Sequence, residues 1–187
     1  MKIALFGKMR SGKDTVGKIL VEEYGFKRFA FGDGIGKIIK EYFPEAWAGG
    51  KPRKHYQFIG QQLRELNPDV WINYLIKTVW EEGRPYRIKG TEFNVVVTDG
   101  RQVNEAEKLK EAGYLIVKVT SPEKLRIERM KQLGDVFTAE QLNHETELQV
   151  DKVQADIEII NDGTLEDLMV KVQKIISEHK GGIKCGY

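Results

Sequence analysis

Hydrophobic residues along this chain fall into short unbroken runs and into stripes at three-to-four spacing. Ile3 to Phe6 is a run cut off by Gly7, the form of a strand buried on both faces of a parallel sheet. Val16, Ile19, Leu20 and Tyr24 then share one helical face, which Gly25 ends. Phe26 to Phe31 reads as a second strand, and Ile35, Ile38, Ile39, Tyr42 and Phe43 as a helical stripe stopped by Pro44. Two further helices follow in a mostly helical stretch, residues 32–90. In the second of them Asn67 reads as the cap, Pro68 as the first helical residue, and Trp71, Leu75, Ile76 and Val79 as the inner face. Val95 to Val97 and Leu115 to Val119 are two more buried strands around a helix over 103–112 that Gly113 closes. Ser121-Pro122 opens a polar helix, and Thr138 with Gln141 is the capping-box signature of its partner, with Gly134 between them as a hinge. Ile157, Ile159 and Ile160 form the last strand. Thr164 caps a final helix striped by Leu165, Leu168, Met169, Val172, Ile175 and Ile176. Strands alternating with helices predict an α/β fold on a parallel sheet.

A chain of 187 residues suits one folding unit with a substantial core. Lys+Arg 30 against Asp+Glu 28 is close to balance, so neither a nucleic-acid wrapper nor an acidic tail is expected, and any basic site must be local. The basic run Lys51 to His55, within the exposed joint GGKPRKH at 49–55, is the one feature that points toward nucleic acid. The single cysteine, Cys185, excludes an intrachain disulfide framework and fits a reducing, cytoplasmic setting. The apolar run after Met1-Lys2 is too short for a signal-peptide core or a membrane span, so no membrane partner is expected. His55, His144 and His179 lack metal-ligand spacing, and no zinc site follows.

The chemistry concentrates behind the first strand. Gly7, Gly12 and Lys13 match the phosphate-binding pattern G-x-x-x-x-G-K, set between a strand and a helix as that pattern requires. In the segment GKMRSGKDT, backbone N–H groups of residues such as Arg10, Ser11 and Gly12 can wrap a polyphosphate, while Lys13 bridges its outer groups. This favours ATP or GTP. Asp14 stands where Ser or Thr is usual, so the hydroxyl that meets Mg²⁺ is assigned to Thr15. A second constellation, Asp99 and Arg101, follows Val95 to Val97 at the carboxyl end of a strand, where parallel sheets bind their ligands. Asp99 is read either as a ligand of Mg²⁺ through water or as a group that orients the acceptor. Arg101 is read as a phosphate clamp or as a counter-charge in the transition state. A turn Asp beside a surface Arg is the plainer reading of the pair. Arg126 and Arg129 share a helical face and can close over phosphates, or simply lie on a solvated surface. Arg64 can grip the acceptor's phosphate. Trp47, Trp71 and Trp80 read as packing residues, with Trp71 kept as an acceptor-side candidate.

Four blocks of the chain resemble the phage-type deoxynucleoside monophosphate kinases, within the P-loop nucleotide kinases. They are GKMRSGKDT at 7–15, FIGQQLRELNPDVWINYL at 58–75, VVVTDGRQVNEAEKLKEAG at 95–113 and IEIINDGTLEDL at 157–168. Dephospho-coenzyme A kinases share the last block, and animal-type phosphomevalonate kinases share SGKD and an Asp-x-Arg segment. The resemblance implies a P-loop NTPase fold with a five-stranded parallel sheet flanked by helices, an acceptor-binding subregion over 32–90 and a lid over 122–150. It further implies that Asn161, Asp162 and Gly163 lie beside adenine and that Asp33 and Lys37 face the acceptor. The expected activity is transfer of the ATP γ-phosphate, with Mg²⁺, to a small-molecule acceptor, by a monomer or homodimer. A nucleoside or deoxynucleoside monophosphate is the leading acceptor, and dephospho-coenzyme A or phosphomevalonate the alternatives. A nucleotide-binding switch with little turnover is the rival of another class.

Overall fold

The computed structural model describes residues 1–132 and 145–179. Five strands, β1 (Lys2–Phe6), β2 (Lys27–Phe29), β3 (Val95–Gly100), β4 (Leu115–Thr120) and β5 (Ile157–Ile160), form one sheet in the order β2-β3-β1-β4-β5. Every pairing is parallel; Ile3, for example, lies opposite Val96 of β3 on one side and Leu115 of β4 on the other. β1 is therefore central and buried on both faces, which is why its run is continuously apolar.

The two faces carry separate cores. Ala4, Phe6, Val95, Val97 and Ile116 pack under α2 (Phe31–Tyr42), α4 (Val70–Glu82) and α6 (Val103–Glu111). Ile3, Leu5, Val96, Val117 and Val119 pack under α1 (Lys13–Tyr24) and α9 (Leu165–His179). Between α2 and α4 lie a 3₁₀ turn (Pro44–Trp47) and α3 (Arg53–Leu66); α5 (Arg84–Lys89) follows α4. The joint at 49–55 is shorter than the sequence suggests, because α3 has already begun at Arg53. α7 (Glu123–Gln132) and α8 (Glu145–Lys152) stand where the polar helix pair was expected. Gly134, Thr138, Gln141, His144 and Cys185 lie outside the described residues. Among the described residues no helix is long and apolar enough to cross a membrane.

Two further boundaries differ from the sequence reading, each because of a side-chain acceptor. β2 stops at Phe29 and α2 starts at Phe31, because Asp99 accepts the first N–H groups of α2 and Asp33 accepts the N–H of Ala30 at 2.9 Å. α4 begins at Val70, since the Asn67 side chain accepts the N–H of Asp69 at 2.9 Å and makes Pro68-Asp69 a turn. The final helix starts as read: Thr164 Oγ1 accepts the N–H of Asp167, and Asp167 Oδ2 accepts that of Thr164.

The helix α2 is built on GDGIGK, poor helix-forming sequence that is tolerated for the close approach it allows. A Cβ on Gly34 would lie 2.7 Å from the Tyr74 ring, and one on Gly36 would overlap the Tyr56 hydroxyl. Trp71 also packs there, 3 % exposed, its indole N–H donating to Gly60 O at 3.1 Å. The structure thus gives Trp71 to the core and to the α3–α4 junction, a departure from its acceptor-side reading.

α6 is capped by a buried carboxylate: Glu105 Oε2 accepts the N–H groups of Arg101 at 2.9 Å and Gln102 at 3.0 Å. Burial pushes the Glu105 pKa up to about 7, against the lowering effect of those two donors and of Arg64. The folded state then holds a proton that the unfolded chain, titrating near 4.5, releases. Stability contributed at this site is accordingly full below the unfolded value and falls as pH rises to about 7.

Two outcomes follow. Trp71→Phe removes the bond to Gly60 and part of the ring, and is expected to cost about 2 kcal/mol in urea unfolding with an unchanged slope. Glu105→Gln is expected to flatten the pH dependence: between pH 5 and pH 8 the wild type should lose on the order of 2–3 kcal/mol relative to the variant. Parallel pH profiles for the two proteins would contradict the assignment.

Candidate functional site

The carboxyl ends of β1, β3, β4 and β5 open on one edge of the sheet, and each delivers part of the site. β1 runs into the loop Gly7 to Gly12. Gly7 admits no side chain, since a Cβ there would lie 2.5 Å from Val119 O and 2.6 Å from Ser11 Oγ. Arg10 (φ 60°) and Gly12 (φ 98°) both adopt left-handed backbone, and the N–H of Ser11 donates to Lys8 O at 3.2 Å, so the loop curls into a concave nest. α1 then starts at Lys13, and its first hydrogen bond joins Val16 N–H to Gly12 O. The amides of Lys13, Asp14 and Thr15 therefore have no acceptor within the helix and present its positive end. Lys13 is 8 % exposed, with Nζ 3.2 Å from Asp14 Oδ1; the Asp14 side chain is exposed and Thr15 half-buried.

Asp99 lies at the end of β3 and Arg101 just after it, as the sequence placed them. Asp99 Oδ1 accepts the N–H of Phe31 at 2.8 Å, and Oδ2 that of Gly32 at 3.0 Å. Burial raises the Asp99 pKa, while the two amides and the charge of Lys13 oppose the rise. Arg64, on α3, reaches within 3.5 Å of Glu105 Oε1. Glu105 thus joins Arg64 to the backbone of Arg101. It was not singled out in the sequence, where its one signal is a carboxylate in phase with the buried Ala106 and Leu109 on α6. Asp33 is spent on Ala30 N–H and on Arg28, whose Nη1 lies 3.0 Å from its Oδ1. Lys37, one turn further along α2, is exposed. Tyr56, also unread in the sequence, lies beside Gly32 and Gly36, and burial with the charges of Asp33 and Asp99 raises its phenol pKa.

On the other flank the arginines of α7 do not lie on a solvated face. Arg126 is buried and donates to Met9 O at 3.3 Å. Arg129 donates to Arg10 O at 3.3 Å, Ser121 Oγ at 3.1 Å and Asn161 O at 3.3 Å. Asn161, at the end of β5, is buried, and its side-chain amide donates to Ser11 O at 2.9 Å. Asp162 and Gly163 are exposed, Asp162 lying 3.3 Å from Lys171 Nζ. Lys8 pairs with Asp151 of α8 at 2.7 Å, across a cavity of about 220 Å³ that Ser11, Lys118 and Arg126 also line.

The glycine-lined curl, the unpaired helix amides and the buried lysine fit a nucleoside triphosphate, and Thr15 with the carboxylates Asp14 and Asp99 offers the oxygen donors that Mg²⁺ takes. Among the described residues no cluster of three or more His, Cys, Asp or Glu side chains is placed to hold a metal without such a ligand.

Residues 3–148 match the family model described as AAA domain. A protein of Acanthamoeba polyphaga mimivirus, provisionally named a deoxynucleotide monophosphate kinase, is 25 % identical over 91 % of this chain and 93 % of its own length. The adenylate kinase of Lawsonia intracellularis is 23 % identical over 83 % of this chain and 64 % of its own. Among solved structures, the shikimate kinase of Acinetobacter baumannii in complex with shikimate superposes with a TM-score of 0.57 at 22 % identity, covering 96 % of this chain and 94 % of the other. The fold is that of the P-loop kinases, as the sheet order and the loop after β1 indicate. The chain belongs to the AAA domain family and is a P-loop kinase.

Proposed function

We propose that this kinase transfers the γ-phosphate of ATP to a nucleoside or deoxynucleoside monophosphate. The observation that carries this reading is that Glu105 holds the Arg64 guanidinium beside the main chain of Arg101, next to the strand end where Asp99 feels the charge of Lys13. A guanidinium, that of Arg64, held beside the backbone of Arg101 by one buried carboxyl suits an acceptor that itself bears a phosphate. The name of the mimivirus relative supports the same acceptor class.

In this reading the nest formed by residues 7–12 and the amides of Lys13, Asp14 and Thr15 bind the triphosphate, and Lys13 lies along its outer groups. Thr15, with Asp99 through water, would hold Mg²⁺, which would supply charge neutralisation on the triphosphate when bound. Arg64 and Arg101 hold the acceptor phosphate so that one of its oxygens faces the γ-phosphorus in line with the bond to the β-phosphate. The new P–O bond forms as the bond to ADP breaks, and the products are ADP and a nucleoside diphosphate. A phosphate oxygen is already anionic at neutral pH, so this acceptor needs no general base, and Asp99 serves to orient Phe31 and Gly32 at the start of α2. Arg126 and Arg129, on α7, border the triphosphate from the lid side. Segments 32–90 and 122–150 act as acceptor-binding and lid subregions of one domain, whose closure excludes water.

A hydroxyl acceptor such as dephospho-coenzyme A is the second reading. What favours it is the raised pKa of Asp99, since a hydroxyl must lose a proton and a carboxylate of this kind can take it.

Coupled ADP release with ATP, Mg²⁺ and a panel of ribo- and deoxynucleoside monophosphates, dephospho-coenzyme A and phosphomevalonate tests the proposal. Turnover is expected with at least one monophosphate, and Lys13→Ala and Arg101→Ala are each expected to lower kcat/KM by roughly a hundredfold or more. Turnover confined to dephospho-coenzyme A or phosphomevalonate would transfer the acceptor assignment, and none with any acceptor would remove it.

A further inference from the structure

Three consecutive carbonyls of the phosphate-binding loop are held from outside the loop. Met9 O accepts from Arg126, Arg10 O from Arg129 and Ser11 O from the side-chain amide of Asn161. In a trans peptide unit the carbonyl and the N–H point in opposite directions. Drawing the carbonyls of Met9 and Ser11 outward therefore turns the N–H groups of Arg10 and Gly12 to the opposite, concave side. The N–H between them, that of Ser11, closes the curl on Lys8 O. The anchoring has strain to oppose: Arg10 holds a left-handed backbone, φ 60°, that a non-glycine residue abandons when nothing fixes it.

Asn161 is suited to this task by its own restraints. Its main-chain N–H donates to Thr120 O at 2.7 Å, and its carbonyl accepts from Arg129 at 3.3 Å, so the residue is fixed to the end of β4 and to α7 before its side chain reaches the loop. A Cβ at position 12 would collide with the Asn161 amide, so glycine there also leaves room for the latch. Arg129 ties the same three segments together through Arg10 O, Ser121 Oγ and Asn161 O.

We propose that Asn161 and Arg129 are positioning residues for the triphosphate, holding the nest curled with its amides aimed inward before nucleotide arrives. Asn161 thereby acts on the phosphates rather than on the base, and Arg129 acts through the backbone of Arg10. The proposal rests on triphosphate binding by the loop and is independent of the acceptor, so a failed acceptor panel leaves it standing.

Binding of tripolyphosphate, ATP and adenosine is to be measured by calorimetry for the wild type, Asn161→Ala, Arg129→Met and Arg129→Lys, with thermal melts to verify folding. Amide chemical shifts of Arg10 and Gly12 are to be read in the ligand-free proteins. Asn161→Ala and Arg129→Met should each weaken tripolyphosphate and ATP about tenfold, leave adenosine unchanged and shift the two amides without ligand. Arg129→Lys, which keeps the charge but cannot span three acceptors, should recover only part of the affinity. Weakened adenosine binding with tripolyphosphate unaltered would make Asn161 a base contact and overturn the proposal. Unshifted amides in the ligand-free variants would overturn it as well, since a direct phosphate contact leaves the empty loop undisturbed. Should Asn161→Ala fail to fold, Arg129→Met, with its half-exposed side chain, carries the same two outcomes.

Discussion

A loop that binds phosphate with its backbone must keep several N–H groups pointing inward at once, outside any ladder that would fix them. Each inward N–H implies an outward carbonyl, and a buried carbonyl needs a donor. In this protein that constraint organises the surroundings of the site. Donors arrive from α7 and from the end of β5, and the loop itself is strung between the central strand and a helix whose first amides have no acceptor within the helix. The parallel sheet makes this possible, because it brings the carboxyl ends of β1, β4 and β5 to one edge.

The acceptor side is built by a different device. Asp99 joins the end of β3 to the start of α2, and the glycines of α2 let Tyr56, Tyr74 and Trp71 pack against its backbone. Helix α2 is thus tied to the sheet by one carboxylate besides its buried apolar face, and α3 and α4 close on it through these approaches. The solved shikimate kinase shares the fold over nearly the whole chain, yet the fold does not choose the acceptor. In the proposed reading that choice lies in the side chains these helices present, Arg64 among them, with Glu105 as its partner.

All five strands, the phosphate-binding loop and the placement of Asp99 and Arg101 were legible in the sequence, because they depend on local patterns: an apolar run, a glycine spacing, a strand followed by a turn. The start of α2 was not, since it depends on Asp99, distant in sequence. The surroundings of Asn161 and Arg129 were hidden for the same reason. Spacing placed Arg126 and Arg129 on one helical face and left open whether that face met solvent or phosphate. Only the folded chain shows that the face meets carbonyls of the loop. Trp71 was read both as packing and as an acceptor-side candidate because an aromatic residue on an inner helical face reads alike whether that face meets a ligand or the core; here it packs in the core and its N–H ends on Gly60. Glu105 was overlooked because a carboxylate in a charged helix reads as solvated surface until its burial is known.

The most direct test of the account is a crystal structure with a non-hydrolysable ATP analogue, Mg²⁺ and a deoxynucleoside monophosphate. The account predicts the β- and γ-phosphates within hydrogen-bonding distance of Lys13 and of the amides of the loop, with the acceptor phosphate held between Arg64 and Arg101. A triphosphate bound away from the loop, or an acceptor seated out of reach of both arginines, would contradict it.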